Sequence, residues 1–305
     1  MGLDKMYFSL KDEGAKEKIL EYYESKKEGI INTIMEPYKS VIIVKDLLSK
    51  EKENKILCLT NSIGLKTFEK SNIHIKNLDR WNEKNDIYNT IIIDDLSAYS
   101  NYNKLDLIEM VDYLYKKAKR IIIFSIEEIL KNCDFLYITT QGRESHFVEP
   151  RIIISKLNLK KKIPNIITEY FEYFSKLGHN TIIYVGKNER DMFYDNLNKY
   201  LYIFDDIKVY KDVNNYEVIK LILSSGNKII IIEDVDKIID KLDNSNFIIY
   251  SASREFFTYK KIVFICGRLT LLEQESEMII VSKQDSKEID EAKNISRCFN
   301  KIVWE

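Results

Sequence analysis

The chain has 305 residues, enough for about two domains of ~150 residues each. At 45% hydrophobic it can build a packed core and is not a disordered chain, and its 9 Gly and 3 Pro imply regular elements joined by short loops. A net charge of −1 excludes a global attraction to nucleic acid or membrane, so an anionic partner needs a local patch.

The start, "MGLDKMYFSLKDEG", carries acids and no apolar stretch of leader type, so no signal peptide is expected. No apolar run approaches the ~18 residues of a membrane span, and membrane insertion is not expected. Short Ile/Val-rich runs then recur at 29–34, 55–60, 90–96, 120–126, 135–140, 151–155, 181–186, 207–210, 228–234, 247–251 and 277–282. Continuous apolar runs of this length predict strands covered on both faces. By its length "KIVFICG" (261–267) reads as a further strand. Helical stretches lie between many of the runs. Ile163, Ile166, Ile167, Tyr170, Phe171, Phe174 and Leu177 form one helical stripe closed by Gly178, and Ile289, Ala292, Ile295, Phe299, Ile302 and Val303 form another. The alternation predicts an α/β fold with mainly parallel sheets. A polar segment, "QGRESHFVEP" (141–150), divides the chain into domains at 1–150 and 151–305, each with about five strands.

Four cysteines, Cys58, Cys133, Cys266 and Cys298, form no CxxC pair, so zinc is not expected and the thiols read as reduced, as in a cytoplasmic protein. His74, His146 and His179 have no metal-ligand spacing.

Two segments carry candidate chemistry in the first half. In "IMEPYKS" (34–40) a strand turns into a helix at Lys39-Ser40. A phosphate loop needs a lysine, a hydroxyl for Mg²⁺ and converging backbone N–H groups. Lys39 and Ser40 supply the first two. Pro37 removes a donor and Tyr38 adds bulk where phosphate approaches; the plainer reading has Pro37 open a helix at its first position. In "IIIDDLSAY" (91–99), Asp94 is placed to hold Mg²⁺ and Asp95 to orient a water, unless the pair simply faces solvent or caps the next element. In the second half, Arg268 of "CGRLTLLEQ" could reach a phosphate or be an ordinary ion-pair residue. Lys156, Lys160, Lys161 and Lys162 of "SKLNLKKKIP" could hold nucleic-acid phosphates or form a solvated turn.

Taken in order, these pieces resemble the two tandem RecA-like domains of superfamily-two helicases, in particular the competence DNA-uptake ATPase family (ComFA). "MEPYKS" stands at that family's Walker A loop and "ILCLTNS" at its next strand motif. "IIIDDLSAY" resembles its IIDEVDAF segment, and "SREFFTYKKIVFICGRLTL" its arginine motif. The match is most specific over 146–186 and 253–305. The resemblance implies a helix, not a strand, across "KIVFICG". It implies ATP and Mg²⁺ as cofactors, single-stranded DNA as ligand and competence or DNA-processing proteins as partners.

The departures from the family fall on catalysis. The Walker A glycines are missing, Asp95 replaces a glutamate, and Phe124-Ser125-Ile126 replaces TAT. Phe264 and Leu271 replace a glutamine and the finger arginine, and "EDVDKII" (233–239) replaces a glycine-containing motif. Loss of an arginine finger alone costs about 10³–10⁵ in rate. Three readings follow: a degenerate helicase-like protein that binds nucleic acid with weak or lost ATPase; an active DNA translocase with atypical motifs; and a non-catalytic α/β interaction module.

Overall fold

The computed structural model describes residues 5–82, 86–140, 146–201, 207–211, 216–224, 228–236, 238–242, 245–251, 257–272 and 275–302. Residues 141–145 of the boundary segment, 253–256 at the start of the arginine motif, Lys237 and Val303 lie outside the described residues. The chain divides into two compact units, Met1–His146 with Cys298–Glu305, and Phe147–Arg297.

The first unit runs β1 (Lys5–Ser9), α1 (Ala15–Ser25), β2 (Gly29–Ile34), α2 (Ser40–Lys50), β3 (Ile56–Thr60), β4 (Ile73–Lys76), β5 (Tyr88–Asp94), α3 (Lys104–Tyr115), β6 (Ala118–Ser125) and β7 (Asp134–Thr139). Its seven strands form one parallel sheet in the order β1-β7-β2-β6-β5-β3-β4. One face packs Leu57, Leu59, Ile91, Ile93, Ile121 and Ile123 against Leu107, Val111 and Leu114 of α3. Asn103 starts α3 with a capping box: its Oδ1 accepts from the Leu105 and Asp106 amides, and Asp106 accepts from the Asn103 amide.

The second unit runs β8 (Pro150–Ile154), α4 (Asn165–Lys176), β9 (Asn180–Val185), α5 (Arg190–Leu201), β10 (Lys208–Tyr210), α6 (Tyr216–Leu223), β11 (Lys228–Ile232), β12 (Ser245–Tyr250), α7 (Tyr259–Thr270), β13 (Met278–Ser282) and α8 (Lys287–Ile302), whose residues from Cys298 onward belong to the first unit. Its six strands form a second parallel sheet, β10-β11-β9-β12-β13-β8. Ile167, Phe171 and Phe174 of α4 pack on Ile183, Val185, Ile229, Ile231 and Ile248.

The α/β class with parallel sheets is therefore what these Ile/Val runs build. Three details differ from the sequence reading. The first sheet has seven strands, because β1 and β4 at its two edges were too short and too exposed to show as apolar runs. "KIVFICG" is helical, inside α7, with Thr258 capping the Lys261 amide. On α4 the buried residues are Ile167, Phe171 and Phe174, joined by Ile163 just ahead of it, whereas Ile166 and Leu177 are exposed. Gly178 does close that helix: at φ 74 it lets the His179 amide donate to the Phe174 carbonyl at 2.8 Å.

Candidate functional site

Parallel pairing brings the carboxyl ends of the first unit's strands into one row. Ile34 of β2 lies opposite Ser125 of β6 and Tyr137 of β7, while Asp94 of β5 lies opposite Phe124 and Thr60. Residues just beyond these ends must converge. In open α/β sheets this edge is where ligands bind.

Lys39 caps α2 and Ser40 is its first residue, so Pro37 is in the loop and does not open the helix. Ser40 Oγ donates to Asp94 Oδ1 at 2.6 Å, which unites two of the residues singled out from sequence. Asp94 is fully buried. Its carboxylate also accepts from Thr60 Oγ1 at 2.9 Å, the Leu96 amide at 3.3 Å and the Ser97 hydroxyl. Burial pushes the Asp94 pKa up, and these hydrogen bonds pull it part of the way back. Asp95 is buried as well, accepting from Ser100 Oγ, and its amide donates to the Phe124 carbonyl. Neither acid faces solvent, which corrects the plainer reading of the pair.

The loop itself is closed by its own hydrogen bonds. The Met35 amide donates to Ser125 O at 3.3 Å, Tyr38 to Leu96 O at 2.7 Å and Lys39 to Glu36 O at 3.4 Å. Pro37 has no amide proton. Tyr38 adopts φ 67, a left-handed conformation that glycine reaches without strain. The chain thus follows a glycine path with a tyrosine.

Glu36 is the residue that sequence reading passed over. It is buried, and its carboxylate accepts from Thr139 Oγ1 at 2.7 Å and from the Thr140 amide at 3.0 and 3.2 Å. Register could have found this, since pairing of Ile34 with Tyr137 carries Glu36 alongside Thr139 two residues later. Burial raises the Glu36 pKa, opposed by those donors and by the Lys39 charge. Burial lowers that of Lys39, which Glu36 raises again and nearby Lys11 lowers further.

Ser40 and Asp94 have the hydroxyl and carboxylate chemistry of a Mg²⁺ site, but the loop does not fit nucleotide phosphate. The amides of Met35, Tyr38 and Lys39 are donated within the chain, Pro37 has none, and a carboxylate stands in the loop. No cluster of three or more His, Cys, Asp or Glu suited to a metal occurs among the described residues.

In the second unit Arg268 donates from Nε to the Leu242 carbonyl at 2.8 Å, within its own unit. Lys156, Lys160, Lys161 and Lys162 are all exposed on the connection from β8 to α4. Lys160 pairs with Glu189 at 3.3 Å. Acids crowd the ends of β9 and β11: Arg190 pairs with Glu233 and Lys261 with Asp236, each at 2.7 Å. Burial, then Asp234, Glu233, Asp236 and Glu189, push the Tyr184 pKa up.

No protein-family model matches this sequence, and no curated protein matches it. Among solved structures, the chain is similar to the Escherichia coli DEAH/RHA helicase HrpB, with a TM-score of 0.50 and 11% identity over 89% of this chain and 43% of that one. It also matches a DEAD box protein from the hyperthermophile Methanococcus jannaschii (TM-score 0.39, 14% identity, 97% and 87% of the two chains). A third match is the DUF1998 helicase MrfA bound to DNA (TM-score 0.45, 11% identity, 95% and 51%). The fold is helicase-like, with two mainly parallel sheets as in tandem RecA-like domains. The chain spans less than half the length of HrpB. No helix among the described residues is long and apolar enough to cross a membrane.

Proposed function

We propose that this chain is a helicase-like protein related to competence DNA uptake, with RecA-like domains at 1–150 and 151–305, that binds nucleic acid with weak or lost ATP hydrolysis. The observation that carries this reading is the closed loop at 35–39, in which the Met35, Tyr38 and Lys39 amides and the Glu36 carboxylate are engaged within the chain. A phosphate cradle works because its N–H groups are held free for the anion. Here that function is gone before Asp95 or Arg268 could contribute to turnover.

Nucleic-acid binding is assigned to the exposed lysines 156 and 160–162. Binding of single-stranded DNA, followed by fluorescence anisotropy across a salt series, tests this assignment. Affinity that falls with salt and weakens in Lys161→Gln/Lys162→Gln supports it; salt-independent or absent binding favours the α/β interaction module instead.

The active translocase is the second reading, favoured by the 2.6 Å pairing of Ser40 with Asp94, which brings a hydroxyl and a carboxylate of Mg²⁺-binding type together. Calorimetry with Mg·ATP separates the two: the degenerate reading expects no binding in the micromolar range, the active one saturable binding.

A further inference from the structure

We infer that Glu36 is an internal stand-in for phosphate: its carboxylate occupies an anion site formed by Thr139 Oγ1, the Thr140 amide and the Lys39 charge, and so shuts the loop to phosphoryl ligands. This rests on the proposed placing of the loop at the phosphate-binding position.

The geometry supplies three parts of the case. The groups that meet Glu36 are what an oxyanion uses: a hydroxyl donor at 2.7 Å and a backbone amide within reach of both oxygens at 3.0 and 3.2 Å, with the Lys39 ammonium acting on it through its charge and not by direct contact. Against the burial that raises the Glu36 pKa, the Thr139 and Thr140 donors and the Lys39 charge each favour the charged form. Finally, Thr140 Oγ1 is buried with no hydrogen-bond partner. Thr140 is the residue whose amide already serves Glu36, so its unserved hydroxyl belongs to the same turn, and a phosphoryl group would bring further acceptor oxygens there.

The alternative is that Glu36 is a structural acid that ties β2 to β7. Both accounts expect some loss of stability when it is removed. Only the stand-in account expects a gain of binding.

The full chain, wild type and variants, is titrated by calorimetry with inorganic phosphate and separately with Mg·ATP. Wild type shows no saturable binding of either. Glu36→Ala gains saturable phosphate binding, at least about tenfold tighter than the weakest binding the wild-type titration would detect, and the gain disappears in Glu36→Ala/Lys39→Ala. Glu36→Gln keeps an acceptor for Thr139 and Thr140 but not the charge, and gains a smaller phosphate affinity. Should Glu36→Ala fail to melt cooperatively, the Gln variant decides: its melting temperature rises with added phosphate while that of wild type does not. A folded Glu36→Ala with no gain, or, where that variant does not fold, a Gln variant with none, overturns the inference. That failure leaves the loss of ATP turnover intact, because turnover is judged on wild type alone, by hydrolysis with and without DNA.

Discussion

At Tyr38 a bulky side chain sits at φ 67. Left-handed backbone costs a non-glycine residue roughly 1–2 kcal/mol, and a β-branched residue more. Tyr38→Val is therefore expected to destabilise the chain by about 1–2 kcal/mol more than Tyr38→Gly, a difference that urea unfolding of the two variants reads directly. Asp94 is the hub of four donors in a buried site, and Asn there would turn an amide donor toward Ser40 or Thr60. Asp94→Asn should cost about 2–3 kcal/mol in the same assay. The pH response of Glu36 follows from the direction of its shift. Its pKa is raised above the ordinary 4.5, so the native chain holds this proton to higher pH than the unfolded chain. Its contribution is complete below that value and is lost as pH rises through the native pKa. Unfolding free energy measured at steps above pH 4.5 should fall less steeply in Glu36→Gln than in wild type. A slope unchanged by the substitution would contradict the assignment. Lys39, Ser40 and Asp94 were legible in sequence because their spacing follows strand ends. Glu36 was not, because its partners lie 103 and 104 residues away and only sheet register joins them.

At the scale of elements, patterns with buried faces were readable and those at edges were not. The central strands declare themselves by continuous Ile/Val. In β1 and β4 one face stays exposed, and four or five residues of alternation carry little signal. The α7 segment shows the opposite problem. Ile262, Val263, Phe264, Ile265 and Cys266 are all buried, so a helix buried all round has the same local composition as a covered strand. Order along the chain distinguished the two where period could not. The start of α3 was invisible to apolar periodicity because its signal is a polar cap. Asn103→Ala should cost about 1 kcal/mol in unfolding free energy, since both the Leu105 and Asp106 amides lose their acceptor.

For the whole molecule, fold and chemistry separate. The helicase-like fold rests on strand order and buried aliphatic residues, which survive without any catalytic group. A phosphate loop at the proposed position would need amides left unpaired, and those of Met35, Tyr38 and Lys39 are paired here. The proposed nucleic-acid binding depends on neither, only on exposed charge. Neutralising Lys161 and Lys162 should reduce the slope of log affinity against log salt for single-stranded DNA by about 1.4, as two phosphate contacts are lost; Lys160, already paired with Glu189, contributes less.

The central claim, that the site no longer turns over ATP, is tested most directly by steady-state hydrolysis on the full chain with and without single-stranded DNA, in wild type and Lys39→Ala. The account predicts background rates in all four conditions. DNA-stimulated hydrolysis by wild type that disappears in Lys39→Ala would contradict it.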